Sequence, residues 1–155
     1  MRRNWKPSVL IFLLLAALPG RSQERDVAVV VNPKNSVANL SVSDLRRLFM
    51  GEKRTWPGGQ PVRLFVRAPG TPERTVLLKL TAMSEDDYKQ HWTSQVFRGE
   101  AQAAPVTLPS NGMQKEAVST FPGALVLVSE QDVKDGMKVV KIEGRLPGEP
   151  GYPLH

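Results

Sequence analysis

Short apolar runs along the chain alternate between strand-like and helix-like spacing. A continuous β-branched run from Asp26 to Asn32 predicts a strand that is buried on both faces. Further strands are predicted beside Gly, Pro or Asp–Gly turn signals, at residues 62–67, 106–108, 124–129 and 137–142. The order of strands and helices along the chain therefore predicts an α/β layer fold with a partly parallel sheet.

Four helices are predicted between these strands, each beginning after a hydroxyl side chain that can cap it. The N-cap positions are occupied by Ser41, Thr71, Ser84 and Ser110. In the helix after Ser84, the spacing of Tyr88, Trp92 and Val96 predicts one buried stripe.

Residues 1–22 have a different character from the rest of the chain. Arg2, Arg3 and Lys6 precede an apolar run from Val9 to Leu18, and small residues follow it as far as Ser22. The run is about half of the roughly 20 residues that span a bilayer, so a cleaved signal peptide is favoured over a retained transmembrane helix. We therefore expect a periplasmic or secreted protein with a single domain at residues 23–155 and no stable membrane span after cleavage.

The charge and the composition exclude several classes of function. The formal net charge is +6, but four basic residues lie within residues 1–22, and their removal leaves +2, which gives no reason to expect a nucleic-acid partner. The absence of cysteine and the presence of only two histidines exclude disulfides, thiol nucleophiles and the usual zinc sites. Because the common nucleotide-binding, metalloprotease, calcium-binding and serine-hydrolase motifs are missing as well, we expect no cofactor, no metal and no catalytic residue.

One enzymatic hypothesis concerns a histidine. His91 could act as a general base with Asp86 or Asp87 in a hydrolase. No nucleophile motif accompanies it, and its position beside Tyr88 and Trp92 favours a packed structural residue.

Two turns place polar groups at a predicted helix start, where main-chain N–H groups and the helix dipole favour an oxyanion. The first follows a strand and the second opens a later helix. Together they supply the candidate ligand-binding residues Arg67, Gly70, Thr71, Ser110, Asn111 and Gly112. The plainer interpretation is that Thr71 and Ser110 only cap their helices.

Several segments occur in an order that carries more information than any one of them. They are VVVNPKN at 29–35, LS at 40–41, DLRRLF at 44–49 with Gly51 and Trp56 in an F-x-G-x-x-x-x-W arrangement, NGM at 111–113, TFPGAL at 120–125, KVVKI at 138–142 and YPL at 152–154. In this order they resemble the substrate-binding proteins of phosphate ABC importers. The resemblance implies one lobe of a type II periplasmic-binding-protein-like fold, with a mixed, mostly parallel sheet and helices on both faces.

The resemblance also implies a phosphate-binding turn of the form R-x-D-G-S-G-T. The matching residues here are Arg67, Gly70 and Thr71. Three positions depart from the pattern: Pro69 stands where Asp would accept the phosphate proton, Pro72 removes a main-chain N–H, and Glu73 introduces a negative charge. These departures predict weakened binding of phosphate.

Two functional hypotheses follow. The first is an exported, non-enzymatic protein related to phosphate importer binding proteins, with weak binding of phosphate or another oxyanion. The alternative is a periplasmic protein-interaction module that has lost ligand binding and works through a protein partner or a homodimer. Because the resemblance covers one lobe, we expect the second ligand-gripping lobe to be missing.

Overall fold

A computed structural model describes residues 25–155, so the predicted signal peptide at residues 1–22 lies outside the described residues. The strands are β1 (Val27–Val31), β2 (Asn39–Leu40), β3 (Arg63–Arg67), β4 (Val106–Leu108), β5 (Ala124–Ser129) and β6 (Lys138–Ile142). The helices are α1 (Val42–Phe49), α2 (Pro72–Thr81), α3 (Glu85–Phe97) and α4 (Asn111–Thr120), with a 3-10 turn at Glu130–Asp132. Only β2 and the 3-10 turn are elements that the sequence pattern does not predict.

The six strands form one sheet in the order β2-β6-β1-β5-β3-β4. The central strand β1 runs antiparallel to both of its neighbours, with Val29 paired to Leu127 on one side and to Val140 on the other. The remaining pairs, β2–β6, β3–β5 and β3–β4, are parallel. The expected mixed, mostly parallel sheet is confirmed.

Strand β1 is buried on both faces because helices cover both sides of the sheet. Val27, Val29 and Val31 belong to a core cluster shared with α1, α2 and α3, whereas Ala28 and Val30 pack in the cluster that includes α4. All five residues are inaccessible to solvent. Burying a valine side chain fully stabilises the fold by about 1.5–3 kcal/mol, so this continuous apolar run is the centre of the core.

All four predicted N-caps are present. The hydroxyls of Ser41, Thr71, Ser84 and Ser110 each accept a hydrogen bond from the main-chain N–H three residues later. Helix α2 ends two residues before the predicted boundary near Met83, because Ala82 adopts a left-handed conformation. The caps fix where each helix begins, and two of these starts belong to the candidate site.

The prediction that Val96 lies on the buried stripe of α3 is wrong, since this side chain is 39% exposed. The third buried position of the stripe is Gln95 instead, after Tyr88 and Trp92. At 100° per residue, Gln95 returns to within about 20° of the direction of Tyr88, whereas Val96 is turned by about 80° and lies at the margin of the stripe. Gln95 also accepts a hydrogen bond from Arg54, which satisfies the buried amide.

The C-terminal residues hold the start of β1. The hydroxyl of Tyr152 donates to the Val27 carbonyl at 2.8 Å, and the Val27 N–H donates to the Leu154 carbonyl at 2.9 Å. Between residues 25 and 155, no helix has both the length and the apolar character needed to cross a membrane.

Candidate functional site

The two candidate turns meet at one edge of the sheet. Strands β3, β4 and β5 are mutually parallel, so their carboxyl ends lie together, and helices α2 and α4 begin beside them. Open α/β sheets commonly bind ligands outside the carboxyl ends of their strands. Arg67 Nη1 donates to Asn111 Oδ1 at 3.3 Å, which joins the turn after β3 to the turn after β4.

Glu73, at the second position of α2, is the buried charge of this edge. Its side chain is 2% exposed. The carboxylate oxygen Oε1 accepts hydrogen bonds from the Ser129 hydroxyl at 2.6 Å, the Ser129 N–H at 3.0 Å and Asn111 Nδ2 at 2.8 Å. A carboxylate in the first turn of a helix also complements the positive end of the helix dipole. Among the candidate ligand-binding residues, Asn111 therefore has its amide already paired with Glu73, together with both donors of Ser129.

The pKa of Glu73 shows which effect dominates at this position. Burial by itself raises the pKa of the carboxyl group, because removal from water disfavours its charge. The hydrogen bonds from Ser129, Asn111 and the main-chain N–H of Glu73 itself outweigh burial and lower the pKa below its ordinary value. Glu73 is consequently a carboxylate at neutral pH.

Asn111 connects the polar groups of the site. Its Nδ2 amide donates to Glu73 and, at 2.7 Å, to Asp132 Oδ2. Its Oδ1 oxygen accepts from Arg67 and from Gln114 Nε2, both at 3.3 Å. A primary amide has two N–H donors, and both are used here on carboxylates. Asn111 thus serves an internal network that contains two carboxylates and one guanidinium.

The hydroxyls of the two turns are occupied by capping. Thr71 Oγ1 donates to the Ala68 carbonyl at 2.9 Å and accepts from the Arg74 N–H at 3.3 Å. Ser110 Oγ accepts the Met113 N–H at 3.1 Å. In this structure the capping role accounts for the known contacts of both side chains.

The two glycines differ in what they contribute. Gly70 is exposed, has a φ of 86° and would place an added Cβ in open space, so its role is the turn itself. Gly112 lies in the first turn of α4, where an added Cβ would come only as close as 3.7 Å to Ser110 Oγ. Neither glycine is kept small by a close neighbour.

Arg67 is the candidate residue that retains an unused polar atom. Its Nε is buried and has no hydrogen-bond partner among the described residues. The neighbouring Arg74 does not neutralise Glu73, because its guanidinium forms three hydrogen bonds with Glu85, the shortest at 2.7 Å, and lies over the Tyr88 ring. Arg67 is the cation that the site has to offer.

Three residues of this network are absent from the candidates that the sequence suggests: Gln114, Ser129 and Asp132. Ser129 gives a usable signal, because it is a polar residue at the carboxyl end of the apolar strand β5. Gln114 is fully buried and donates to the Leu127 carbonyl, a role that its position on an exposed-looking helix does not reveal.

His91, the candidate general base, makes contacts typical of a structural side chain. A ring nitrogen of His91 lies 2.8 Å from the Met50 carbonyl, and the ring packs edge-on against Trp92. Asp87 accepts the Ser84 N–H in a capping box at the start of α3. In the part of the chain that the structure describes, no group of three or more His, Asp or Glu side chains is placed to hold a metal ion.

Comparison with solved structures identifies the fold. An ABC-type phosphate transport receptor from Vibrio cholerae matches with a TM-score of 0.64 and 21% identity, over 79% of this chain and 48% of that one. A protein from Clostridium perfringens solved with bound phosphate matches with a TM-score of 0.66 and 16% identity, over 84% and 52%. A phosphate-binding protein from Stenotrophomonas maltophilia matches with a TM-score of 0.55 and 19% identity, over 79% and 40%.

These matches confirm the expected fold, that of one lobe of phosphate-receptor-like binding proteins. The chain spans about half the length of the solved structures that it matches. No protein-family model matches the sequence.

Proposed function

We propose that this chain is an exported, non-enzymatic binding protein that uses the phosphate-receptor fold for contact with another protein and does not bind free phosphate. The observation that carries this proposal is the Glu73 carboxylate, a buried negative charge that accepts hydrogen bonds from the Asn111 amide and from both donors of Ser129. Of the two hypotheses drawn from the sequence, the interaction module is therefore preferred to the weak oxyanion receptor.

Electrostatics supports this choice. A carboxylate about 5 Å from a phosphate, at an effective dielectric constant near 20, repels it by about 3 kcal/mol per unit of phosphate charge. A micromolar site has only about 8 kcal/mol of binding free energy. Because Glu73 remains ionised at neutral pH, this penalty applies under the conditions in which phosphate would be bound.

The geometry of the turn adds a second cost. Pro72, at the first position of α2, has no N–H to offer an anion. Thr71 uses its hydroxyl for the cap. Arg67 is left as the main attractive group, and its Nη1 is shared with Asn111.

The test is calorimetric titration of phosphate into residues 23–155, which contain every described element of the fold. We expect no saturable heat with the wild-type chain at millimolar phosphate. A second chain restores the receptor-like turn through Pro69→Asp, Pro72→Gly and Glu73→Thr, and this variant should bind phosphate.

Arg67→Ala is the matched control in both chains. It should abolish binding in the restored variant, because the guanidinium is the remaining cation of the turn. Saturable binding of phosphate by the wild-type chain, lost in Arg67→Ala, would overturn the proposal and establish an oxyanion receptor instead. Sulfate titrated in parallel distinguishes a phosphate site from a general anion site.

A further inference from the structure

An open groove of about 830 Å³ lies at the opposite end of the parallel strands from Glu73. It is bordered by residues 61–65 at the start of β3, by residues 99–106 leading into β4, and by Phe121 just before β5. These are the amino ends of the parallel strands, whereas the Glu73 network lies at their carboxyl ends. The groove is thus separate from the candidate anion site.

One wall of the groove combines a cation with stacked aromatic rings. The Arg63 guanidinium carbon lies 4.8 Å from the centre of the Phe121 ring, and Phe121 stacks on Phe65 with ring centres 5.4 Å apart. Arg63 is exposed, and it makes no ion pair with any carboxylate in residues 25–155. The side chain is held in place by the ring while its charge stays available.

The other charged residues give the groove a positive balance. Lys53 and Arg54 line it together with Arg63, and the acidic residue among its lining side chains is Glu100. Glu100 is paired with Arg98 at 3.0 Å and Lys53 with Asp44 at 3.7 Å, so the positive balance of the groove comes from Arg54 and Arg63. A positive groove of this kind favours a negatively charged occupant.

An apolar, strand-like surface adjoins these cations. Strand β4 is the last strand of the sheet, and its first residue, Val106, is 51% exposed although it lines the groove. An edge strand offers unpaired main-chain N–H and C=O groups, to which an extended segment of another protein can add. Leu48 and Trp92 line the groove on its inner side.

We propose that this groove binds an extended segment of a partner protein in which acidic residues flank apolar ones. The proposal names the partner class for the interaction function proposed above, and it rests on that function only for the premise that the partner is a protein. The acidic side chains would pair with Arg63 and its neighbouring cations, and the apolar side chains would cover Val106 and the aromatic wall.

The experiment is selection of random dodecamer peptides displayed on phage against immobilised residues 23–155, followed by anisotropy titration of the most enriched peptide. We expect enrichment of sequences with Asp or Glu beside apolar residues. Arg63→Glu should weaken binding of that peptide about tenfold or more, and Arg63→Gln should weaken it by less. Lys115→Glu makes the same charge reversal at an exposed position of α4 outside the groove, and it should change the affinity for that peptide by less than about twofold.

The proposal would be overturned by no enriched sequence, by enrichment of basic sequences, or by equal effects of Arg63→Glu and Lys115→Glu. A wild-type dimer in analytical ultracentrifugation that Arg63→Glu dissociates would also overturn it, because the groove would then be an interface between two copies. Phosphate binding by the wild-type chain bears on the Glu73 site alone, so failure of the proposed function and failure of this inference are distinguishable.

Discussion

Replacing Glu73 with glutamine should destabilise the protein at neutral pH while keeping its shape. The substitution preserves side-chain volume and one oxygen acceptor for Ser129 and Asn111. The second carboxylate oxygen, Oε2, has no hydrogen-bond partner among the described residues, so the amide nitrogen can take that position without breaking a bond. The change therefore removes charge from an otherwise intact network.

The magnitude follows from the three hydrogen bonds that Oε1 accepts. Bonds to a charged group contribute about 1.5–3 kcal/mol each, against about 0.5–1.5 kcal/mol for neutral pairs, so neutralisation costs about 1–1.5 kcal/mol per bond. Relief of the buried charge offsets part of this loss. Because the pKa of Glu73 is lowered rather than raised, the hydrogen bonds outweigh burial, and we expect a net loss of about 2 kcal/mol for Glu73→Gln.

The sign of the pH dependence supplies the sharper test. A carboxyl group whose pKa is lower in the folded state stabilises the fold above its unfolded pKa, and this contribution disappears as the pH falls through the folded value. The gap in free energy of unfolding between wild type and Glu73→Gln should thus be full at about pH 7. It should begin to narrow as the pH falls below the ordinary value of 4.5, and it should be lost below the lowered pKa of the folded state.

Urea unfolding of residues 23–155, followed by the fluorescence of the buried Trp56 and Trp92, measures this gap at about pH 7 and at a series of pH values below 4.5. Glu116→Gln, at an exposed position of α4, is the control and should change stability by less than about 0.5 kcal/mol. A gap below that level at neutral pH, or a gap that does not depend on pH, would refute the account of Glu73 as a buried, ionised acceptor.

Two further predictions concern packing and alkaline pH. Gly123→Ala should cost more than about 3 kcal/mol in thermal or urea unfolding, because an added Cβ would lie 1.9 Å from the Pro61 carbonyl oxygen, whereas Gly112→Ala, with 3.7 Å of room in a helix, should stabilise by about 0.5 kcal/mol. Burial raises the pKa of Tyr88 from 10.0 to about 12, so its contribution to stability is present below pH 10.0 and is lost as the pH rises through about 12. Tyr88→Phe should flatten this alkaline loss, and the remainder should come from Tyr152, whose pKa burial also raises.

Local signals were sufficient for most of the fold. The valine run of β1 and the hydroxyl caps of the four helices predict their elements because these choices are made within a few residues. The antiparallel direction of β1 depends on pairing with β5 and β6, about 100 residues away, and no local pattern encodes it. Val96 is a related case, since it lies at the margin of the stripe and the packing around α3 decides whether such a position is covered.

The sequence predicts two polar turns at helix starts but not the contacts that join them. Arg67 and the start of α2 indicate an anion-binding turn, and Glu73 can be recognised in sequence as a charge that does not belong there. That Glu73 folds inward to Ser129, instead of facing solvent, depends on a strand that begins about 50 residues later in the chain. The surroundings of the Glu73 carboxylate come from three separate segments: the start of α2, the end of β5 and the Asn111 amide. Only the folded structure brings these segments together.

Because the Glu73 carboxylate belongs to the chain itself, it changes how the stability of the fold depends on phosphate concentration and on pH. A helix start with an open turn gains stability from a bound anion only in proportion to ligand concentration, about 2.7 kcal/mol at one hundred times the dissociation constant. Glu73 supplies the negative charge at the start of α2 at every phosphate concentration, since it belongs to the same chain. The stability contributed by this charge is therefore sensitive to acid, because protonation of Glu73 removes the charge. Phosphate should leave the unfolding temperature of the wild-type chain unchanged, whereas acid should lower it.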